Sequence, residues 1–494
     1  MSPMCLCVKK KEKTVLKKRK MVKYMFFAVV FLSSCKGFLD KEPIATLDAS
    51  SFFKTEDDAI QALNAAYKPL TFSNANNNFY WAFGTLASDE AIAGGDGSRA
   101  GLVDLDALTH TPRTDEINNF WKLQYSGITQ CNLVLDKVQT VDINKVIKDR
   151  VIGEALFLRA FYYFQLTQVF GDVPLFTTIV SPDKLKVLRT SKKLVYQQII
   201  TDCDRAAALL PPQHLGAEIG RATKGAAFAL AAKTYLYQKN WTKTLEYIAK
   251  IKALNIYGLM ANYQDNFNEK TQNNKESVWE IQHTNLELNV GNSLNQWWYS
   301  KKIVGGYGFA EATDTFVRAF EADDPRRKFT VVANNEDYFG AVYKNSFSST
   351  RYSVRKYLQA DTTLTQKADG DINYTAIRYA EVLLWEAESL AELGQNTEGT
   401  LALEIVRSRA RLQAANPLTA LPKIITTDKT ALINAIRHER QVELGFELHR
   451  YFDLVRWGIA TQNIKEFKVG KHELFPIPQI EMDLNPSLIQ NPNY

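Results

Sequence analysis

Three glutamates, Glu439, Glu443 and Glu447, recur at four-residue spacing in "ERQVELGFELHRYFDLVRWG", which places them on one face of a helix. Two such carboxylates could serve as the acid and nucleophile of a glycosidase. That chemistry wants a cleft and unequal surroundings for the two groups. Here Arg437, Arg440, Arg450 and Arg456 lie within three or four residues of these glutamates or of Asp453. The spacing therefore favours an ion-pair network tying two helices together.

Other reactive constellations are missing. The six histidines (His110, His214, His283, His438, His449, His472) show no metal-ligand spacing, and no CxxC pair exists. No G-x-S-x-G elbow appears, and "GGYGF" lacks the G-K-[ST] ending that holds phosphates. "DGDIN" places Asp369, Asp371 and Asn373 like the start of a calcium loop, but its glycine is second instead of sixth and position twelve is Ala380, which excludes an EF-hand. No catalytic residue, metal site or cofactor is expected.

Binding chemistry is better represented. An aromatic ring can cover the C–H face of a sugar while amides and carboxylates meet its hydroxyls. Trp297, Trp298, Tyr299, Tyr307 and Phe309 cluster in "GNSLNQWWYSKKIVGGYGF", and Phe79, Tyr80 and Trp81 follow the asparagine run "SNANNNF". These eight are the candidate ligand-binding residues. If Trp297 and Trp298 lie in a strand they point to opposite faces, so one of them belongs to the core. Trp121, Trp279 and Trp457 sit in other stretches and read as core.

The elements that must position these residues are mainly helical. "SFFKTEDDAIQALNAAYKPL" opens a helix, with Thr55 as cap, three acids in the first turn and Pro69 as stop. Residues 71–113 read as a long loop rich in Asn and Gly. Apolar periodicity resumes at Ile117 and runs through Trp121, Ile128, Cys131, Leu135 and Val138. A weak repeat follows. "GEALFLRAFYYFQLTQVFGDVPL" pairs with "LVYQQIITDCDRAAALL"; "GAAFALAAKTYLYQKNWTKTLEYIAKI" and "RYAEVLLWEAESLAELGQNTEGTLALEIV" are each a small-residue-rich helix, a short turn and a second helix. This is tetratricopeptide-type pairing, in which each pair leaves an apolar face for its neighbour. Between the last two pairs, from about 256 to 371, the period is lost in a loop-rich excursion with short strands.

Residues 1–34 carry an address. The apolar run from Met25 to Leu32 would reach only about 12 Å as a helix, against a hydrocarbon core of roughly 30 Å, so it cannot span. Lys17, Lys18, Arg19, Lys20 and Lys23 precede it, as in a secretory signal, and Leu32-Ser33-Ser34-Cys35 resembles the lipobox of bacterial lipoproteins. Cys35 is thus the expected lipid anchor. The leader holds nine Lys or Arg and one acid, a net +8 against a formal +6 for the whole chain, so residues 35–494 carry −2. With no basic stripe left, nucleic acid is excluded as a partner. Only Cys131 and Cys203 remain unmodified, too few for a disulfide scaffold.

Several stretches together resemble the SusD/RagB family of Bacteroidetes outer-membrane nutrient-binding lipoproteins. They are "CKGFLDKEP", "GEALFLRAFYYFQL" with "FGDVPL", "DDPRRKFT", "RYAEVLLWEAESL", "ERQVELGFELHRYFDLVRWG" and "LFPIPQIEMDLNPSLIQNPNY". Leu448 and Asn493 stand where that family usually has glycine, and Val455 where it often has arginine. The resemblance implies one tetratricopeptide-like body over 35–494 with a variable ligand-facing excursion. It also implies a partner, a SusC-like TonB-dependent transporter, and capture of oligosaccharides or, in some members, peptides at the cell surface; that the capture proceeds without turnover is expected from the missing catalytic constellations. The shared motifs are architectural, so the family supplies no ligand residues. The alternative is a tetratricopeptide lipoprotein that scaffolds an envelope complex.

Overall fold

A computed structural model describes residues 53–286, 290–303, 305–360, 364 and 366–494. Cys35 and the leader lie outside the described residues. Helix α1 (Glu56–Tyr67) starts at Thr55, whose hydroxyl accepts the Asp58 N–H while the Asp58 carboxylate accepts the Thr55 N–H. This reciprocal cap satisfies two donors that the first turn would otherwise leave open. The stretch expected as loop, 71–113, contains more structure than that. It holds a π-helical turn (Ala82–Leu86), strand β1 (Ala91–Ala93) and a short helix, α2 (Ala100–Asp106). Asn- and Gly-rich composition marked its turns and hid the short elements between them.

The long helices follow: α3 (Asp115–Lys137), α4 (Lys145–Phe170), α5 (Lys192–Leu209), α6 (Lys224–Tyr237) and α7 (Trp241–Ala253). Each packs on the next, α3 on α4 through α6 on α7, and α1 covers α3 and α4. From Gly153 to Phe170 every residue of α4 is buried, as expected of a helix apolar all round and enclosed by neighbours. Its one buried cation, Arg159, is held by a fork of two 2.8 Å bonds to Asp202 on α5 and a third to Asn132 on α3. Ala226, Ala227, Ala229, Ala231 and Ala232 are all buried on α6, where small side chains allow close approach of its neighbours. Cys131 is wholly buried on α3, and burial pushes its thiol well above the ordinary range.

The excursion leaves after α7 and returns as strand. β2 (Ser277–Ile281) pairs antiparallel with β8 (Tyr374–Arg378), closing its base, with Ser277 opposite Arg378 and Ile281 opposite Tyr374. Between them lie the five-residue helix α8 (Leu294–Trp298), β3 (Ala310–Ala312), which pairs with β1, and the short pairs β4 (Val331–Val332) with β7 (Ser353–Val354) and β5 (Asp337–Tyr338) with β6 (Ala341–Val342). The helical stack then resumes with α9 (Tyr379–Glu392), α10 (Asn396–Leu412), α11 (Lys429–Glu443) and α12 (Arg450–Trp457). Helix α9 packs on α7, so the stack continues across the insertion. The protein is mainly α.

Leu448 and Asn493 both adopt left-handed backbone, at φ +67° and +66°. These are two positions where glycine was expected. The turn geometry is kept and the side chain bears a conformational cost of about 1 kcal/mol. At Leu448 the chain also comes so close to Gly84 that a Cβ there would sit 2.2 Å from the Leu448 carbonyl oxygen.

Candidate ligand-binding cleft

The β1–β3 pair is the root of the site. Its register sets Ala91 opposite Ala312 and Ala93 opposite Ala310, which brings the "GGDGSRAG" loop beside the "YSKKIVGGYGF" loop. The second loop is stitched to α8. Tyr307 donates its N–H to the Gln296 carbonyl (2.9 Å), Gly308 to Tyr299 (2.8 Å) and Phe309 to Trp297 (2.7 Å). Where the two loops cross, a Cβ on Gly94 would lie 2.3 Å from the Gly308 carbonyl oxygen, so only glycine fits.

This crossing holds the Tyr307 and Phe309 rings 5.2 Å apart at the wall of a cleft of about 780 Å³. Tyr307 is 42% exposed and Phe309 half-buried. Opposite them the cleft is polar, with Arg99, Arg113 and Lys301 among Asp96, Asp104, Asp115 and Glu116. Arg99 is held on two sides: its Nε donates to Glu116 Oε1 at 2.9 Å and its Cζ sits 4.3 Å above the Phe79 ring. Lys301 pairs with Asp96, and hydrogen bonds from Lys301 and Ser98 hold the Asp96 carboxyl below its usual range.

The structure separates the eight sequence candidates into two groups. Tyr307 and Phe309 reach the cleft. Phe79, Tyr80, Trp81, Trp297, Trp298 and Tyr299 are buried, which corrects the expectation that they present faces to a ligand. Phe79 stacks on Trp297 at 5.0 Å, and Trp297 Nε1 donates to Asn74 Oδ1. Trp81 meets Trp298 edge-on at 5.7 Å. Tyr80 is sandwiched between Phe120 and Phe452 and donates its hydroxyl to Gln168, while Tyr299 packs on Tyr338 and Phe339. The two tryptophans lie on a helix turn covered all round, not on a half-exposed strand, so both are interior. Trp121 and Trp279 are core as expected; Trp457 is only half-buried, between Arg437 and Arg456, with its indole N–H on Glu388. Sequence reasoning missed Arg99, Arg113, Lys301 and the four acids. The available signal was the crowding of Gly, Asp, Ser and Arg in one loop.

A second cavity of about 600 Å³ lies between α3, residues 174–186 and residues 481–488. Trp121, Tyr125, Phe176, Ile179 and Leu484 make it largely apolar. The polar cleft suits a hydroxyl-rich ligand better, since it sets two rings against several donors and acceptors. Among the described residues no group of three or more His, Cys, Asp or Glu could hold a metal ion, and no helix is long and apolar enough to cross a membrane.

The Glu439, Glu443 and Glu447 carboxylates are no cleft at all. Each is buried and bound to cations: Glu439 to Arg326 and Arg407, Glu443 to Arg326, Arg378 and Arg409, Glu447 to Lys356 and Arg378. The network foreseen from local spacing exists with different partners. Of the locally spaced pairs, Arg456 does bind Asp453; Arg440 binds the same aspartate from farther along the chain, and Arg450 binds Asp89.

Beneath β1, Glu90 is buried with Oε2 accepting the Phe446 N–H at 3.2 Å, and burial pushes its carboxyl up to about 8. The folded protein therefore keeps a proton that the unfolded chain releases above about pH 4.3. Stability from this group is full below that pH and is lost as pH rises toward 8. Glu90→Gln should flatten this slope, so urea midpoints of variant and parent diverge between pH 5 and pH 8 in favour of the variant. Parallel pH profiles would refute it.

Comparison with known proteins decides the lineage. Residues 37–236 match a family described as "Starch-binding associating with outer membrane", and residues 256–473 match the SusD family. The chain belongs to the SusD/RagB family. This SusD-family chain is similar to SusD-like protein P2 of Formosa agariphila, 26% identical over 96% of this chain and all of that one. Among solved structures, a SusD-like carbohydrate binding protein from Bacteroides fragilis superposes with a TM-score of 0.78 at 26% identity, covering 89% of this chain and 100% of that one. A laminarin binding SusD-like protein gives 0.77 at 27% identity, covering 90% and 100%.

Proposed function

We propose that this SusD-family protein is a cell-surface lipoprotein that captures oligosaccharides in the Tyr307–Phe309 cleft and passes them, without turnover, to a TonB-dependent outer-membrane transporter. The observation that carries the reading is the cleft itself. One exposed and one half-buried ring stand against guanidinium and carboxylate groups in a single cleft. Relatives described as binding carbohydrate and laminarin support it. The ligand-facing surface combines the excursion from about 256 to 371 with the loop that carries Arg99.

Attachment is assigned to Cys35 through a diacylglycerol, whose two chains give stable anchoring where one would be marginal. Cys35→Ala should leave the outer-membrane fraction in cells lacking the transporter; retention at the parental level would reject the anchor. The same full-length variant, purified, is the reagent for glycan and peptide arrays. Binding to glycans, with no shorter products after long incubation, is the expected result. Recognition of peptides alone would move the reading to the peptide-capturing members of the family.

A further inference from the structure

We propose, resting on the glycan reading above, that the cleft selects uncharged oligosaccharides and rejects uronate or sulfated chains, and that Asp104, Asp115 and Glu116 carry this selection. A cleft lined by two arginines and a lysine looks at first like an anion site. Two of its three cations are already engaged. Lys301 is paired with Asp96, and Arg99 with Glu116 on one side and the Phe79 face on the other. Arg113 is the remaining cation of the lining, and two further carboxylates, Asp104 and Asp115, share the cleft with it. The acids of the lining outnumber its bases, so an added anion meets net repulsion.

Glu116 fixes the sign of the wall. Its side chain is almost wholly buried, its Oε1 takes the Arg99 N–H, and its Oε2 has no hydrogen-bond partner. That oxygen lies against the bare backbone of Gly101, where a Cβ would come within 1.8 Å of it. A buried carboxylate with one oxygen unmet favours donors nearby and disfavours a second negative charge. Sugar hydroxyls suit such a lining because each can donate to a carboxylate or accept from a guanidinium without breaking an existing pair. The sulfate or carboxylate group of a charged chain can only accept. Beside Arg99 or Lys301 it meets the Glu116 or Asp96 carboxylate already paired there.

The test titrates the full-length Cys35→Ala protein with neutral polysaccharides (laminarin, glycogen, mannan, xylan) and with the sulfated and carboxymethylated derivative of each. The tightest neutral ligand should bind at least tenfold more strongly than either of its anionic derivatives, with an affinity that hardly changes between 20 and 200 mM salt, both on the order of common assay conditions. Asp104→Asn combined with Asp115→Asn should narrow that ratio by threefold or more; both side chains are outside the core, and Glu116→Gln provides the buried counterpart. Equal or tighter binding of the anionic derivatives, falling steeply with salt, would overturn the proposal and leave the glycan reading standing. An unchanged ratio in both variants would overturn the residue assignment. No binding to any polysaccharide would reject the glycan reading itself.

Discussion

Arg378→Met is expected to destabilise the protein by about 3–5 kcal/mol, because it strips the shared partner from three buried carboxylates. Arg378 ends β8 and opens α9, so it stands where the excursion rejoins the stack. Its guanidinium reaches Glu447 at 2.6 Å, Glu443 at 2.6 Å and Glu276 at 2.9 Å, and also bonds the Glu443 carbonyl. Arg326, Lys356, Arg407 and Arg409 complete the cationic side of the network. Removing one member leaves charges that water cannot reach. The same network sets an acid limit. Burial alone would raise the Glu443 carboxyl, but Arg409, Arg378 and Arg326 together hold it far below its usual range. A depressed carboxylate stabilises the fold above its unfolded value of about 4.3, and that contribution is lost as pH falls below it. Urea melts from pH 7 to pH 3 should therefore show steep acid loss in the parent and a shallower one in Arg378→Met. A midpoint change worth less than about 1 kcal/mol at pH 7 would contradict the central role of this arginine.

The kind of network was legible in the sequence, as was the Arg456–Asp453 pair; the partners of the three glutamates were not. Four-residue spacing identifies charges that can meet along one helix, and Glu439, Glu443 and Glu447 do share a buried region. Their cations come from Arg326, Lys356, Arg378, Arg407 and Arg409, brought in by tertiary packing that local spacing does not encode. Helix pairing was easier to foresee, because small-residue-rich helices joined by short turns have few other ways to bury their faces. The aromatic site was half legible for the opposite reason. Composition shows which rings are able to stack on a sugar, but only the surroundings decide which stay uncovered. Trp297 and Trp298 are enclosed by Phe79, Trp81 and Phe446, while Tyr307 and Phe309 follow a glycine-rich return that carries them to the surface.

Tyr307→Ala and Phe309→Ala should each weaken glycan binding by roughly ten- to a hundredfold, the loss of about 1–3 kcal/mol of ring burial against a sugar face. Tyr307 carries the larger share of exposed ring and should show the larger effect. Neither change opens the core, so thermal midpoints should move little. Trp298→Ala makes the contrasting case: its ring is wholly buried against Trp81, Tyr357 and Phe446, and its truncation should cost about 3–5 kcal/mol of stability. Trp297→Ala should do both in part, because Trp297 supports Phe79, and Phe79 supports Arg99 at the cleft. Calorimetric titration with the tightest glycan, beside melting curves for all four variants, separates ligand contact from support. If the two cleft variants bound like the parent while Trp297→Ala and Trp298→Ala lost affinity without losing stability, the interior rings would be the contact surface and the cleft assignment would fall.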